Sequence, residues 1–158
     1  MEPTTTSSEF DKDGDGFLTF DELRAAVAAA IPQYQWPVHY NVTVDLVVPE
    51  KSGGRSMTGD RFENGMEFTL LDGRNQCAWM KTWLDARAAG NAPMEAQALD
   101  MLVNVVPHNP GVNENGTPLP EVQRAQLGDP SLIQRFVTLN CAGIVFVDGV
   151  AATPSPRP

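Results

Sequence analysis

The chain has 158 residues, a formal net charge of −9 and 42% hydrophobic residues, which are proportions typical of a globular protein with an apolar core. The negative charge argues against nucleic acid or an anionic membrane surface as a partner, because both would repel it. The sequence has no signal peptide and no run of about eighteen apolar residues, so we expect no direct insertion into a membrane.

The first informative stretch is DKDGDGFLTFDE at residues 11–22. Three aspartates stand at alternate positions, a glycine follows the third, and a glutamate closes the stretch after five further residues. Calcium is a hard cation that takes roughly six to eight oxygen ligands, so its sites need several carboxylates that converge on one point. This spacing of carboxylates therefore predicts a calcium site.

The pattern closely resembles the calcium-binding loop of EF-hand proteins over these residues and the helix that follows them. The resemblance implies a site for one Ca²⁺ ion, with Gly16 at the sharp turn of the loop. The implied ligands are Asp11, Asp13, Asp15, the backbone carbonyl of Phe17, Thr19 directly or through a water, and both carboxylate oxygens of Glu22.

A helix is predicted directly after the loop. Thr19 is a favourable N-cap, and Glu22 three residues later completes a capping box. The helix is amphipathic and is expected to end at Pro32. Its apolar face comprises Leu23, Ala26, Val27, Ala30 and Ile31.

The loop has no second EF-hand loop to pair with in this sequence. EF-hands need an entering helix, for which residues 1–10 are too short, and they usually pair through the apolar residue found here at Leu18. Residues 60–71 and 111–122 both fail as a second loop because they end in Leu71 and Val122 instead of an acidic residue. Leu18 is therefore expected to pair with a non-homologous segment, with a second copy of the protein, or with nothing.

Two cysteines bear on the compartment. Cys77 and Cys141 form either a disulfide, which would place the protein in an oxidising compartment, or two buried thiols in a cytoplasmic core. The abrupt Thr/Ser-rich start is consistent with a fragment whose signal or anchor lies upstream. Three lysines against eight arginines favour a bacterial source. We expect an extracytoplasmic or secreted protein, with the cytoplasm as the alternative.

The remaining elements predict an α+β fold. Residues 38–48 alternate between apolar and polar side chains, which is typical of a half-buried strand. Met66, Phe68 and Leu70 predict a second strand that closes at Asp72 and Gly73. Helices are predicted over 76–89, 93–106, 119–127 and 130–140, and a last short strand over 144–147.

The expected architecture is an N-terminal EF-hand loop and helix followed by a small sheet packed against several helices. The predicted domains are a single EF-hand with a truncated entering helix at 1–32, a mixed domain of unknown role at 33–149, and a flexible Pro-rich tail at 150–158.

No catalytic motif is evident, so the expected function is non-catalytic. A hydrolase of unknown substrate, with a cysteine paired to His39 or His108, is the enzymatic alternative. The main expectation is a structural calcium ion in an exported interaction domain with an unidentified protein partner. The alternative is a calcium-dependent sensor or assembly switch that forms a homodimer through the loop.

Overall fold

The computed structural model describes residues 9–112 and 116–144. These residues form six α-helices and four two-residue strands, which confirms the α+β class. The helices are α1 (Phe20–Ala30), α2 (Val44–Val47), α3 (Met66–Ala88), α4 (Ala92–Asn104), α5 (Pro120–Gln126) and α6 (Ser131–Asn140). The strands are β1 (Phe17–Leu18), β2 (Lys51–Ser52), β3 (Arg55–Ser56) and β4 (Phe62–Glu63).

The described residues separate into two compact units. The first, here called the loop unit, comprises residues 9–34 and 42–71. The second, here called the helical unit, comprises residues 35–41, 72–112 and 116–144. The segment between the first helix and α3 is thus divided between the two units, and most of it belongs with the EF-hand loop.

The helix after the loop forms as predicted. Thr19 is the N-cap of α1, and the capping box with Glu22 is complete in both directions. The inward face of the helix is buried, and Val27 is fully inaccessible. Ile31 is the C-cap, and a single 3₁₀ turn over Ile31–Gln33 accommodates Pro32. Local capping and apolar periodicity therefore suffice to define this element.

The strands form two separate antiparallel ladders. β2 pairs with β3 through a turn at Gly53 and Gly54, as the glycine pair in the sequence implies. β1 pairs with β4, with Leu18 opposite Phe62. The second ladder joins the EF-hand loop to a segment that lies more than forty residues further along the chain.

The predicted strand over residues 38–48 is wrong. Residues 38–39 form a turn, and α2 begins after Thr43, whose hydroxyl accepts a hydrogen bond from the Leu46 amide at 3.2 Å. Side-chain burial does not alternate either, since Val47 and Val48 are both buried while Val38 is half exposed. Within residues 9–112 and 116–144 no strand pairs with these residues, so the local cap decides their conformation.

The predicted second strand at 66–70 is wrong as well, because Met66, Phe68 and Leu70 lie in the first turns of α3. This helix begins about three turns before the predicted helix and passes through Asp72 and Gly73. A glycine inside a helix costs about 1 kcal/mol relative to alanine, which is too little to end a helix of 23 residues.

The helical unit contains the main apolar core. α4, α5 and α6 lie within one or two residues of their predicted bounds, and α5 packs against both α4 and α6. Trp79 and Trp83 of α3 are buried in this core. The other buried members are Met80, Ala98, Met101, Leu102, Val106, Val122, Ala125 and Ile133.

A disulfide links Cys77 in α3 to Cys141, the C-cap of α6, with a Cα–Cα distance of 5.5 Å. Its loop spans 64 residues of the helical unit. Of the strand predicted over 144–147, residues 145–147 lie outside the described residues, and so does the Pro-rich tail at 150–158. Across residues 9–112 and 116–144, no helix is both long and apolar enough to cross a membrane.

Candidate metal site

The loop at residues 11–22 is organised around the carboxylate of its first residue. Asp11 Oδ1 accepts hydrogen bonds from the backbone amides of Gly14 at 2.9 Å and Asp15 at 3.3 Å, and Oδ2 accepts one from Gly16 at 2.8 Å. One side chain thus accepts from three successive backbone amides and folds residues 11–16 into a turn. This arrangement requires the backbone to bend sharply at the third and fifth residues after Asp11.

Glycines occupy two positions of this turn that have positive φ. Gly14 has φ 66° and Gly16 has φ 84°, a region that costs an L-residue about 1–2 kcal/mol. A Cβ added at Gly16 would meet no atom within 4 Å, so the requirement for glycine comes from the backbone conformation alone. The structure is consistent with the turn role assigned to Gly16.

The last ligand position folds back across the loop. Glu22 Oε1 accepts from the Thr19 amide at 2.8 Å, and Oε2 accepts from the Lys12 amide at 3.2 Å. Glu22, the last residue of the loop, is therefore hydrogen-bonded to Lys12, the second residue of the loop. Thr19 in turn presents its hydroxyl to the Glu22 amide at 3.1 Å, so α1 begins at the edge of the site.

The pKa of Asp11 lies below its ordinary value. Desolvation raises this pKa, but hydrogen bonds donated by the Gly16 amide, the Asn64 side chain and the Asp15 amide outweigh it. The negative charge of Asp11 is therefore favoured by the fold of the loop.

The pKa of Glu22 is lowered too, chiefly because the Thr19 amide donates to its carboxylate. Desolvation and the nearby charge of Asp11 act in the opposite direction, while the Lys12 amide and the Thr19 side chain add to the lowering. The first and last ligand positions are thus both held as anions, which is the state that a calcium ligand requires.

The middle aspartates are placed differently. Asp13 is exposed. Asp15 accepts from the Phe17 amide at 3.0 Å through Oδ1 and forms an ion pair with Arg61 through Oδ2. In the part of the chain that the structure describes, no three His, Cys, Asp or Glu side chains are gathered as a finished metal centre.

The donor set nevertheless fits calcium. Every predicted ligand is an oxygen, in the form of carboxylates, one hydroxyl and one backbone carbonyl, and the backbone turn that brings them together is in place.

Leu18, the residue expected to pair the loop with a partner, is completely buried and lies opposite Phe62. In this structure a non-homologous segment of the same chain pairs with Leu18. Asn64 extends the ladder, because its backbone amide donates a hydrogen bond to the Gly16 carbonyl at 3.1 Å. Residues 62–64 therefore occupy the edge that a second EF-hand loop would otherwise take.

A model of the EF hand domain family matches residues 8–30, which contain the loop, β1 and α1. This segment is a single EF-hand. Its family indicates calcium binding. No curated protein and no solved structure matches the chain at a significant level.

Sequence reasoning missed two residues that contact the EF-hand loop. Arg61 pairs with Asp15, and the side-chain amide of Asn64 donates to Asp11 Oδ2 at 3.2 Å. Both belong to residues 60–71, which do not fit the pattern of a second calcium loop. Sequence reasoning did not consider that the same residues could pair with the first loop. The available signal was Phe62, an isolated apolar residue between the turn residues Gly59 and Gly65.

Proposed function

We propose that this protein binds one calcium ion in the loop at residues 11–22. The observation that carries the proposal is the folded turn around Asp11, which begins beside Glu22 through the Lys12 amide and sits in a segment that matches the EF hand domain. When bound, the ion would neutralise the carboxylates and cross-link the two ends of the loop. Asp11, Asp13, Asp15, the Phe17 carbonyl, Thr19 and Glu22 would hold it.

We propose further that the ion is structural. A sensor of the EF-hand type opens two helices against each other, or exposes an edge to a second chain. Here the edge that carries Leu18 is already paired with Phe62 of the same chain. This pairing removes the main reason to expect a homodimer through the loop, and it favours an ion that stabilises a preformed unit.

The proposed setting is an exported, non-catalytic interaction or structural domain. A disulfide between Cys77 and Cys141 is typical of oxidising compartments. It also supports a non-catalytic role, because the thiol that a Cys-His hydrolase would need is bonded. Extracellular calcium sites can be as weak as about 10⁻⁴–10⁻³ M and remain filled, so a modest affinity would suffice. The protein partner of the helical unit is unidentified.

The experiment is titration calorimetry of decalcified protein with CaCl₂, together with light scattering after size exclusion in EDTA and in calcium. We expect one ion per chain and an unchanged mass. A mass that doubles with calcium would support the assembly switch instead. An absence of binding at millimolar calcium would overturn the proposal.

A variant pair makes the test specific to the loop. Glu22→Gln removes the bidentate carboxylate but keeps a residue that capping boxes accept, so α1 should still form. We expect this variant to lose binding in the millimolar range. Glu63→Gln, which removes the same charge from the exposed neighbouring strand, should bind as the unaltered protein does.

A further inference from the structure

Arg61 is the feature of the loop unit that the EF-hand pattern does not explain. It immediately precedes β4, and the pairing of Phe17 with Glu63 and of Leu18 with Phe62 fixes where the segment lies. The pairing of β1 with β4 therefore places the Arg61 guanidinium beside the loop, although Arg61 lies outside the family match at residues 8–30.

The carboxylate that Arg61 contacts is one that calcium needs. Arg61 Nη2 donates to Asp15 Oδ2, and the Phe17 amide occupies the other oxygen, Oδ1. Both carboxylate oxygens of Asp15, a predicted calcium ligand, thus already have partners within the chain. A calcium ion would require an oxygen of the same side chain at about 2.3–2.6 Å, and a guanidinium beside that oxygen would repel the ion.

The Arg61–Asp15 ion pair is exposed enough that a calcium ion could replace Arg61 as the partner of Asp15. The side chains of Arg61 and Asp15 are 54% and 35% exposed, and exposed ion pairs contribute about 0.2–1 kcal/mol. Such a contact reduces the repulsion among Asp11, Asp13 and Asp15 without being strong enough to exclude a divalent ion. A buried pair of the same geometry would be much harder to break.

We propose that Arg61 is a built-in counter-ion of the EF-hand loop, which pairs with Asp15 when calcium is scarce and is displaced when calcium binds. This inference rests on the proposed calcium-binding function. In this inference Arg61 lowers the affinity of the loop for calcium, because each binding event must break the Arg61–Asp15 pair. Displacement would also free an arginine at the surface of the loop unit.

The chain provides a matched control in Arg55. This arginine belongs to the same unit, is similarly exposed, and pairs with Asp60 at 2.9 Å instead of with a loop ligand. Arg55→Gln and Arg61→Gln change the net charge equally. A difference between them therefore reports the contact with Asp15 and not the overall electrostatic field.

The experiment is calcium titration calorimetry of the full chain and both variants at the same ionic strength. Loss of a surface pair worth about 0.2–1 kcal/mol predicts that Arg61→Gln tightens Kd by about 1.4- to 5-fold. Arg55→Gln should change Kd less. Equal effects of the two variants, or weaker binding by Arg61→Gln, would overturn the inference while leaving the proposed function intact.

A second readout follows displacement directly. The rate at which phenylglyoxal modifies each arginine, mapped by mass spectrometry, should rise a few-fold at Arg61 on addition of calcium and stay constant at Arg55. An unchanged rate at Arg61 in protein that binds calcium would contradict displacement. If neither the unaltered chain nor Arg61→Gln binds calcium, the proposed function and the inference fail together.

Discussion

The EF-hand loop and the core of the helical unit are stabilised by different interactions. Around the EF-hand loop the contacts are hydrogen bonds and charges, with Asp11, Asp15 and Glu22 as acceptors. The helical unit has a cluster of buried apolar side chains and a disulfide. The first kind of contact depends on ions and pH, and the second on volume and covalent linkage. Conditions that disturb one unit should therefore leave specific properties of the other intact.

The largest expected effect is loss of the disulfide. Replacing Cys77 and Cys141 together by serine should lower the free energy of unfolding by about 4 kcal/mol, since the closed loop spans 64 residues. Urea denaturation measures the loss, and reduction of the unaltered protein should reproduce it. Calcium affinity should change little. A large drop in affinity would contradict the separation of roles between the two units.

Next is a cavity in the core of the helical unit. Leu102 is 1% exposed, so Leu102→Ala should cost about 3 kcal/mol in the free energy of unfolding. Leu139→Ala removes the same atoms from a side chain that is 69% exposed and should cost less than about 0.5 kcal/mol. Similar losses for both variants would mean that Leu102 does not lie in a tightly packed core.

Calcium should stabilise the protein through the loop unit. At a free concentration one hundred times Kd, binding adds about 2.7 kcal/mol to the free energy of unfolding. Urea denaturation in EDTA and in CaCl₂ measures this gain. Glu22→Gln should show no gain, whereas the variant without cysteines should keep it. A gain in Glu22→Gln would place the ion elsewhere.

A smaller effect is expected at the start of α1. Thr19→Ala removes the hydroxyl that accepts from the Glu22 amide, and N-cap losses of this kind cost about 1 kcal/mol. The measurement is urea denaturation in EDTA, so that the loss of a ligand oxygen does not contribute. Thr138→Ala, at an exposed site in α6, is the control and should be nearly neutral. Equal losses would argue against the capping box.

The smallest expected effect is a dependence on acid. Asp11 and Glu22 have pKa values below their ordinary values, so their contribution to stability is present above the unfolded pKa of about 4 and is lost as the pH falls through the folded values. In EDTA, thermal unfolding between about pH 6 and pH 2.5 should show this decline. Asp11→Asn should show a shallower decline, and an identical slope would contradict the prediction.

Much of the site could be read from the sequence because its determinants are local. The turn at Gly14 and Gly16 and the backbone amides that donate to Asp11 lie within five residues of Asp11. The capping box joins two residues that are three positions apart. Such contacts follow from the spacing of residue types, and the bounds of α4 to α6 follow in the same way from apolar periodicity and turn residues.

The alternating pattern of residues 38–48 was misleading for a physical reason. Alternation stabilises a strand where a neighbour can pair with it, and no strand in the described residues does so. Thr43 then caps a helical turn instead. In α3, the helix likewise runs over the alternating residues Met66, Phe68 and Leu70 and continues through Gly73.

By itself, the sequence determined an EF-hand loop with its exiting helix, because both rest on contacts between near neighbours in the chain. The tertiary structure alone decided that Leu18 pairs with Phe62 and that Arg61 reaches Asp15. Those partners lie more than forty residues apart, and nothing in residues 11–22 specifies which distant segment will cover their edge. The choice is made by how the intervening chain packs, which is a property of the whole loop unit.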